Sequence, residues 1–181
     1  MLEFDFLDAR PIIVAIAGSN GAGKTTFYHS HLADTGLRFV NADDVANELN
    51  VSPYEAAEAA SALRQALVAR GESFIFETVF SDPVGDKVRF LREAAAQGYQ
   101  VVLIFIRITD AETSVERVSI RVAQGGHDVP DEKLRNRFSR TLENLQRAID
   151  ELPYVLVYDN SDLTDPYRLV AMYRNGDRLE D

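Results

Sequence analysis

The residues with the clearest chemical capacity are Gly18-Ser19-Asn20-Gly21-Ala22-Gly23-Lys24-Thr25, which fit the phosphate-binding pattern G-x-x-x-x-G-K-[ST] at every fixed position. Glycines in such a loop let the backbone turn tightly and aim successive N–H groups inward, where a helix N-terminus adds partial positive charge. Lys24 is placed to reach β/γ-phosphates, the Thr25 hydroxyl to hold Mg²⁺, and Thr26 to begin the helix proper. The plain alternative is a glycine-rich turn that binds nothing. Further along, Asp43 and Asp44 follow a short apolar run, and Glu77 ends another. Arg117 and Arg121 share a helical face, and Lys133, Arg137 and Arg140 follow a Gly125-Gly126 break. A cradle for phosphate, carboxylates at strand ends and mobile cations are the parts that phosphoryl transfer needs: positioning, charge neutralisation and a base beside the nucleophile.

The elements that must hold these residues are legible as alternating patterns. Residues 12–17 form a β-branched run typical of a buried parallel strand, and residues 24–33 read as helix, so strand, loop and helix come in the required order. Residues 37–41 are a second strand, followed by helix over about 45–49. In open α/β sheets ligands bind at the carboxyl ends of strands, which puts Asp43 and Asp44 near the loop; Asp44 reads better as a helix cap and Asp43 as a functional carboxylate. Ser52-Pro53-Tyr54-Glu55 is a capping box opening a helix with Ala56, Ala60, Leu63 and Leu67 on one face, which reads as scaffold. Strand 73–78 ends on Glu77, either a support for Mg²⁺ or a solvated glutamate. Helix 83–97, carrying Val84, Val88, Leu91 and Ala95 inward, leads to strand 99–107, the most apolar of the chain and therefore near-central.

A lid over about 117–140 follows. Ala111, Val115, Val118 and Val122 make one stripe of a helix over 111–124. After the Gly125-Gly126-His127-Asp128-Val129-Pro130 break, a helix from 131 to about 151 turns Leu134, Phe138, Leu142, Leu145 and Ile149 inward, with Lys133, Arg137, Arg140 and Asn144 on its polar face. That basic face is either solvated or a phosphate clamp. Strand 153–158 closes on Asp159-Asn160-Ser161, and about 166–180 reads as a β-hairpin around Asn175-Gly176. The expected architecture is α/β: a P-loop, kinase-like parallel sheet of about five strands with helices on both faces, a helical lid and a C-terminal hairpin, as a single domain over 1–181 with its core at about 11–161.

Composition narrows the partners. A net charge of −10 over 181 residues disfavours nucleic acid as a partner, while small anions need only a local positive pocket. With no cysteine there is no disulfide or thiolate metal site. Residues 1–8 are acidic and do not read as a secretory signal, and apolar runs are too short to span a bilayer, so the expectation is a cytoplasmic protein.

Residues 18–25, Asn41-Ala42-Asp43-Asp44, Phe74-Ile75-Phe76-Glu77-Thr78, Arg121, residues 125–130 and Asp159-Asn160-Ser161, taken together, resemble the zeta-toxin family of P-loop kinases. The resemblance covers about residues 11–161 and is closest to the compact stand-alone branch. It implies ATP or GTP with Mg²⁺ as cofactors, and transfer of the γ-phosphoryl to a hydroxyl of a UDP-activated amino sugar such as UDP-N-acetylglucosamine. By that likeness Asp43 is the catalytic base, Lys24 and Thr25 bind phosphate and metal, Glu77 is the carboxylate after the third strand, and Arg121 is a lid arginine. Where better-known toxins carry a second lid arginine this chain has His127, a nucleotide contact by position, so clamping passes to Arg137 or Arg140. An antitoxin partner is implied by the family alone. The competing readings are a slow ATPase or nucleotide switch, and a kinase for another hydroxyl such as a nucleic-acid end.

Overall fold

The computed structural model describes residues 5–179. The first four residues, part of the acidic opening segment, and residue 180 at the end of the expected hairpin lie outside them. Strands β1 (Ile12–Ala17), β2 (Arg38–Val40), β3 (Phe74–Thr78), β4 (Gln100–Arg107) and β5 (Tyr154–Asp159) are parallel; β6 (Arg168–Arg174) and β7 (Asp177–Leu179) form the hairpin. The hairpin pairs antiparallel with β5, so it continues the sheet, giving the order β2-β3-β1-β4-β5-β6-β7. The most apolar strand, β4, is central.

Alternation along β1 divides the core. Ile13, Ala15 and Ala17 face a cluster with α3 (Pro53–Ala69), α4 (Asp86–Ala96) and α6 (Asp131–Glu151), while Ile12, Val14 and Ile16 face α1 (Lys24–His31). All six residues of β1 are completely buried, as expected of a parallel strand covered on both faces. Register places the chemistry: Ala17 lies level with Thr78 and Phe105, and Val40 with Phe76, so the P-loop, Glu77 and the residues after β2 leave the sheet at one edge.

Several helix boundaries differ from the sequence pattern. Helix α1 begins at Lys24 as the pattern over 24–33 has it, and ends earlier, at His31. Helix α2 (Ala42–Leu49) starts at once after β2, because the Asn41 side chain accepts a hydrogen bond from the Asp43 N–H at 2.9 Å and caps it; Asp44 is not the cap. Helix α4 starts at Asp86, leaving Val84 exposed in the preceding turn. In α5 (Ala111–Ala123) the buried positions are Ser114 and Val118, so a hydroxyl replaces one expected apolar contact.

Two inversions occur on α6. Leu142 is exposed, and Asn144, expected on the polar face, is buried. Its amide donates to the carbonyls of Phe80 and Asp82 at 2.9 and 2.8 Å, and its oxygen accepts from Arg147. Phe80 is buried in a left-handed conformation (φ 66°) and donates its N–H to Thr78 Oγ1. An aromatic side chain is uncommon there, so the turn after β3 persists because Asn144 and Thr78 hold both sides of that residue. Asn144→Ala strands two carbonyls and is expected to cost about 2–4 kcal/mol, read as a lower urea midpoint with unchanged slope. A loss under about 1 kcal/mol would mean the turn stands without it.

Candidate phosphoryl-transfer site

The P-loop is held by its carbonyls. Asn20 O accepts from Ser114 Oγ at 2.6 Å, Ala22 O from Asn160 Nδ2 at 2.8 Å, and Gly23 O from Tyr167 Oη at 2.8 Å. A trans peptide points its C=O and N–H in opposite directions, so turning these carbonyls out toward α5, the end of β5 and Tyr167 turns the N–H groups of Gly21, Gly23 and Lys24 away from them, into the cradle. Two glycines are required. Gly18 has φ 151°, and a Cβ there would lie 2.4 Å from the Ile106 carbonyl; Gly23 has φ 93°, and a Cβ would lie 2.7 Å from both Asn160 Nδ2 and Tyr167 Oη. Ser19 is buried and Asn20, Gly21 and Gly23 are half-buried.

Lys24 opens α1 with its side chain only 6 % exposed and its Nζ 3.0 Å from the Ser19 carbonyl. Burial is the main cause that pulls its pKa below 10.5. Glu77 and Asp43 oppose the shift, and Arg121 and Arg137 add to it. These four charges act on one ammonium, so the fold brings together the residues singled out from the sequence on four different elements. Thr25 Oγ1 donates to Glu77 Oε2 at 2.8 Å, and Asp43 stands exposed in the first turn of α2. Arg137 Nη1 is 3.4 Å from Asn20 Oδ1, which places the second helix of the lid segment against the P-loop. His127 is exposed in the 124–130 connection and makes no hydrogen bond or ion pair among the described residues.

Arg117 and Arg121 do not act as a pair. Arg117 donates to the carbonyls of Asn160 at 2.9 Å and Ser161 at 3.3 Å, bracing the P-loop against the end of β5, whereas Arg121 is exposed toward Lys24. On the Arg117 side, Tyr167, Ile120, Leu163 and His31 line a largely apolar pocket of about 680 Å³. Asp43 borders a separate cavity of about 230 Å³, with Arg64, Glu77 and Lys87.

A phosphate cradle at the carboxyl edge of the sheet, with carboxylates and arginines converging on its lysine, coincides with the match of a family model. The AAA_33 model, described as an AAA domain, covers residues 13–145. The chain belongs to this family. Its fold is that of the P-loop kinase-like α/β proteins. No curated protein matches the sequence. Among solved structures, the complex of AvrRxo1-ORF1 and -ORF2 with ATP matches at TM-score 0.71 and 17 % identity, over 97 % of this chain and 62 % of that one. This AAA_33 chain therefore spans less than two thirds of the length of that protein. The PezAT chromosomal toxin-antitoxin system of Streptococcus pneumoniae matches at TM-score 0.61 and 18 % identity, over 83 % of this chain and 69 % of that one. Shikimate kinase from Acinetobacter baumannii matches at 0.55 and 15 %, over 80 % and 83 %. At these identities the likeness is one of fold.

A hydroxyl and two carboxylates, on Thr25, Glu77 and Asp43, are hard oxygen donors of the kind Mg²⁺ takes. Among the described residues no group of three or more His, Cys, Asp or Glu could hold a metal. Among those residues no helix is long and apolar enough to cross a membrane.

The sequence pattern left several contributors unmarked. Arg64 and Ser114 each interrupt the apolar stripe of a helix, which is a readable signal; Asn160 is marked only as part of Asp159-Asn160-Ser161 at a strand end, and Tyr167 carries no signal, because its role depends on where β6 brings it.

Burial penalises the charged form of Lys24 in the folded protein, so between its lowered pKa and 10.5 the unfolded chain binds more protons than the folded one. The cost of the buried charge is full below that window and fades as pH rises through it. Lys24→Met is therefore expected to have a higher urea midpoint than wild type near pH 7, with the gap narrowing toward 10.5, while losing affinity for Mg-ATP. A lower midpoint at neutral pH would mean that Glu77 and Asp43 outweigh the burial.

Proposed function

We propose that this domain transfers the γ-phosphoryl of ATP or GTP to a hydroxyl of a small acceptor, and that the acceptor is a UDP-activated amino sugar such as UDP-N-acetylglucosamine, as the zeta-toxin resemblance implies. The observation that carries the reading is the P-loop with buried Lys24 at its Ser19 carbonyl, Thr25 bonded to Glu77, Arg137 against Asn20, and Asp43 sharing a cavity wall with Glu77. The triphosphate occupies the P-loop with its nucleobase in the apolar pocket beside Tyr167 and Arg117. Mg²⁺, held by Thr25 and Glu77, would neutralise charge on the phosphates. Asp43 accepts the proton of the acceptor hydroxyl as the new O–P bond forms, and the bond between the γ-phosphorus and the bridging oxygen breaks to release the nucleoside diphosphate. Lys24, Arg121 and Arg137 stabilise the equatorial oxygens, and Arg137, already at Asn20, takes the clamping role. Segment 121–140 closes over the phosphates about Gly125-Gly126.

Two matched variants separate base from metal support. Asp43→Asn is expected to keep Mg-ATP affinity and to lower transfer about 10²–10⁴-fold, whereas Glu77→Gln weakens Mg-dependent nucleotide binding together with turnover. Calorimetry measures the first quantity. ³¹P spectra of reactions with UDP-sugars, nucleosides and oligonucleotide ends measure the second. Normal transfer by Asp43→Asn removes the base assignment, and hydrolysis without any phosphorylated acceptor favours the switch.

A further inference from the structure

The cavity beside Asp43 contains an arginine that the chemistry so far does not use. Arg64 is 6 % exposed on the core-facing side of α3, its guanidinium carbon 4.8 Å from the Phe76 ring centroid and 5.9 Å from that of Phe90. The ion pairs among the described residues all involve other arginines, and none of the hydrogen bonds among them starts from its guanidinium. Lys87 lines the same cavity, and after burial the largest influence lowering its pKa is the charge of Arg64, opposed by Asp82 and Asp86. Burial also pulls Arg64 down to about 10, which leaves it charged at neutral pH.

A buried guanidinium without a carboxylate partner, beside a half-buried lysine, is repelled by that neighbour and forgoes hydration. The aromatic faces of Phe76 and Phe90 compensate Arg64 in part, and stacking leaves a guanidinium's N–H edges available for a planar or tetrahedral oxyanion. That oxyanion is not the transferred phosphoryl. The cavity that Arg64 and Lys87 line is walled by residues such as Asn41, Asp43, Glu77 and Thr78 and by no residue of the P-loop. The cavity also adjoins a second, of about 350 Å³, sharing Thr78, Val79 and Lys87 and walled by Lys133, Arg137 and Arg140. Positive charge thus continues from the Asp43 pocket along α6 to Arg137, which meets Asn20 of the P-loop.

We infer that Arg64 and Lys87 bind the anionic group of the acceptor, which is the diphosphate if the acceptor is a nucleotide sugar and a carboxylate or phosphate ester otherwise, while its hydroxyl faces Asp43. This rests on the kinase reading. The anion gives Arg64 the partner it lacks and fixes which hydroxyl meets the base, so Arg64 and Lys87 set acceptor specificity. Neutral sugars of the same shape leave the two cations unpaired and are rejected on that account.

The test follows Arg64 itself. In ¹⁵N-labelled protein its Nε–H signal is assigned by its disappearance in Arg64→Lys, then tracked during separate titrations with inorganic phosphate and with acetate. A saturable shift is expected with at least one probe, and the tighter of the two identifies the acceptor's anion as a phosphate ester or a carboxylate. Lys87→Met is expected to raise the apparent Kd about tenfold or more. A signal that stays still in both titrations of the unmodified protein overturns the inference, and so does an unchanged Kd in Lys87→Met. Addition of a non-hydrolysable ATP analogue to the same samples is read at the amides of Gly21 and Gly23. Failure there counts against the kinase reading alone, while the Arg64 signal still decides the anion site.

Discussion

The constraint on which the structure depends is the inversion of the peptide planes between Asn20 and Lys24. N–H groups can converge on an anion only if the matching carbonyls find donors elsewhere, since a buried carbonyl left unpaired carries a desolvation penalty. Ser114, Asn160 and Tyr167 supply those donors, and they come from α5, the end of β5 and the chain entering β6. Arg117 ties the end of β5 back toward the same loop. The C-terminal hairpin thus has a purpose beyond widening the sheet. Its pairing with β5 fixes Tyr167, which has a left-handed backbone (φ 58°), with its hydroxyl against Gly23.

Helix α6 extends this logic to the acceptor side. Arg137 and Asn144 are two turns apart on one face of it. The first reaches Asn20 of the P-loop and the second the carbonyls of Phe80 and Asp82 after β3. One rigid element therefore spans the phosphate cradle and the turn that follows Glu77 and Thr78. Any rotation of α6 that withdraws Arg137 from Asn20 also loads the bonds that Asn144 makes to the carbonyls of Phe80 and Asp82.

What could be seen in the sequence, and what could not, follows from which constraints are local. The P-loop, the placement of Asp43 and Glu77 at the carboxyl ends of strands, and the parallel α/β architecture all rest on short-range patterns: glycine spacing, β-branched runs and capping residues. The cap at Asn41 was open to the same kind of reading, but Asp44 offered an equally good side chain, and only the abrupt end of β2 decides between them. Asn144 was misplaced because an asparagine among charged residues looks solvated until a carbonyl-rich turn is packed against it. Arg64 was passed over for a related reason. Its position between Ala60 and Leu67 puts it on the buried stripe, but the alanines and leucines around it made the helix read as scaffold.

Electrostatics explains how an acidic chain can serve phosphate chemistry. At an ionic strength of about 0.15 M the screening length is about 8 Å, so a ligand outside the protein responds to the overall charge of −10, whereas one inside the cleft responds to its immediate lining. That lining is basic on two sides. Lys24, Arg121 and Arg137 converge on the P-loop, and Lys87 and Arg140 continue the positive wall beyond Thr78. A long polyanion must carry most of its phosphates across the acidic exterior, while a compact anion leaves that exterior behind on entry. The same partition sets the cost of the site, since Lys24 and Arg64 are each withdrawn from the water that would solvate their charge. In the folded protein both cations are kept desolvated where a ligand's charge would offset the penalty, so ligand binding and relief of buried-charge strain are one event.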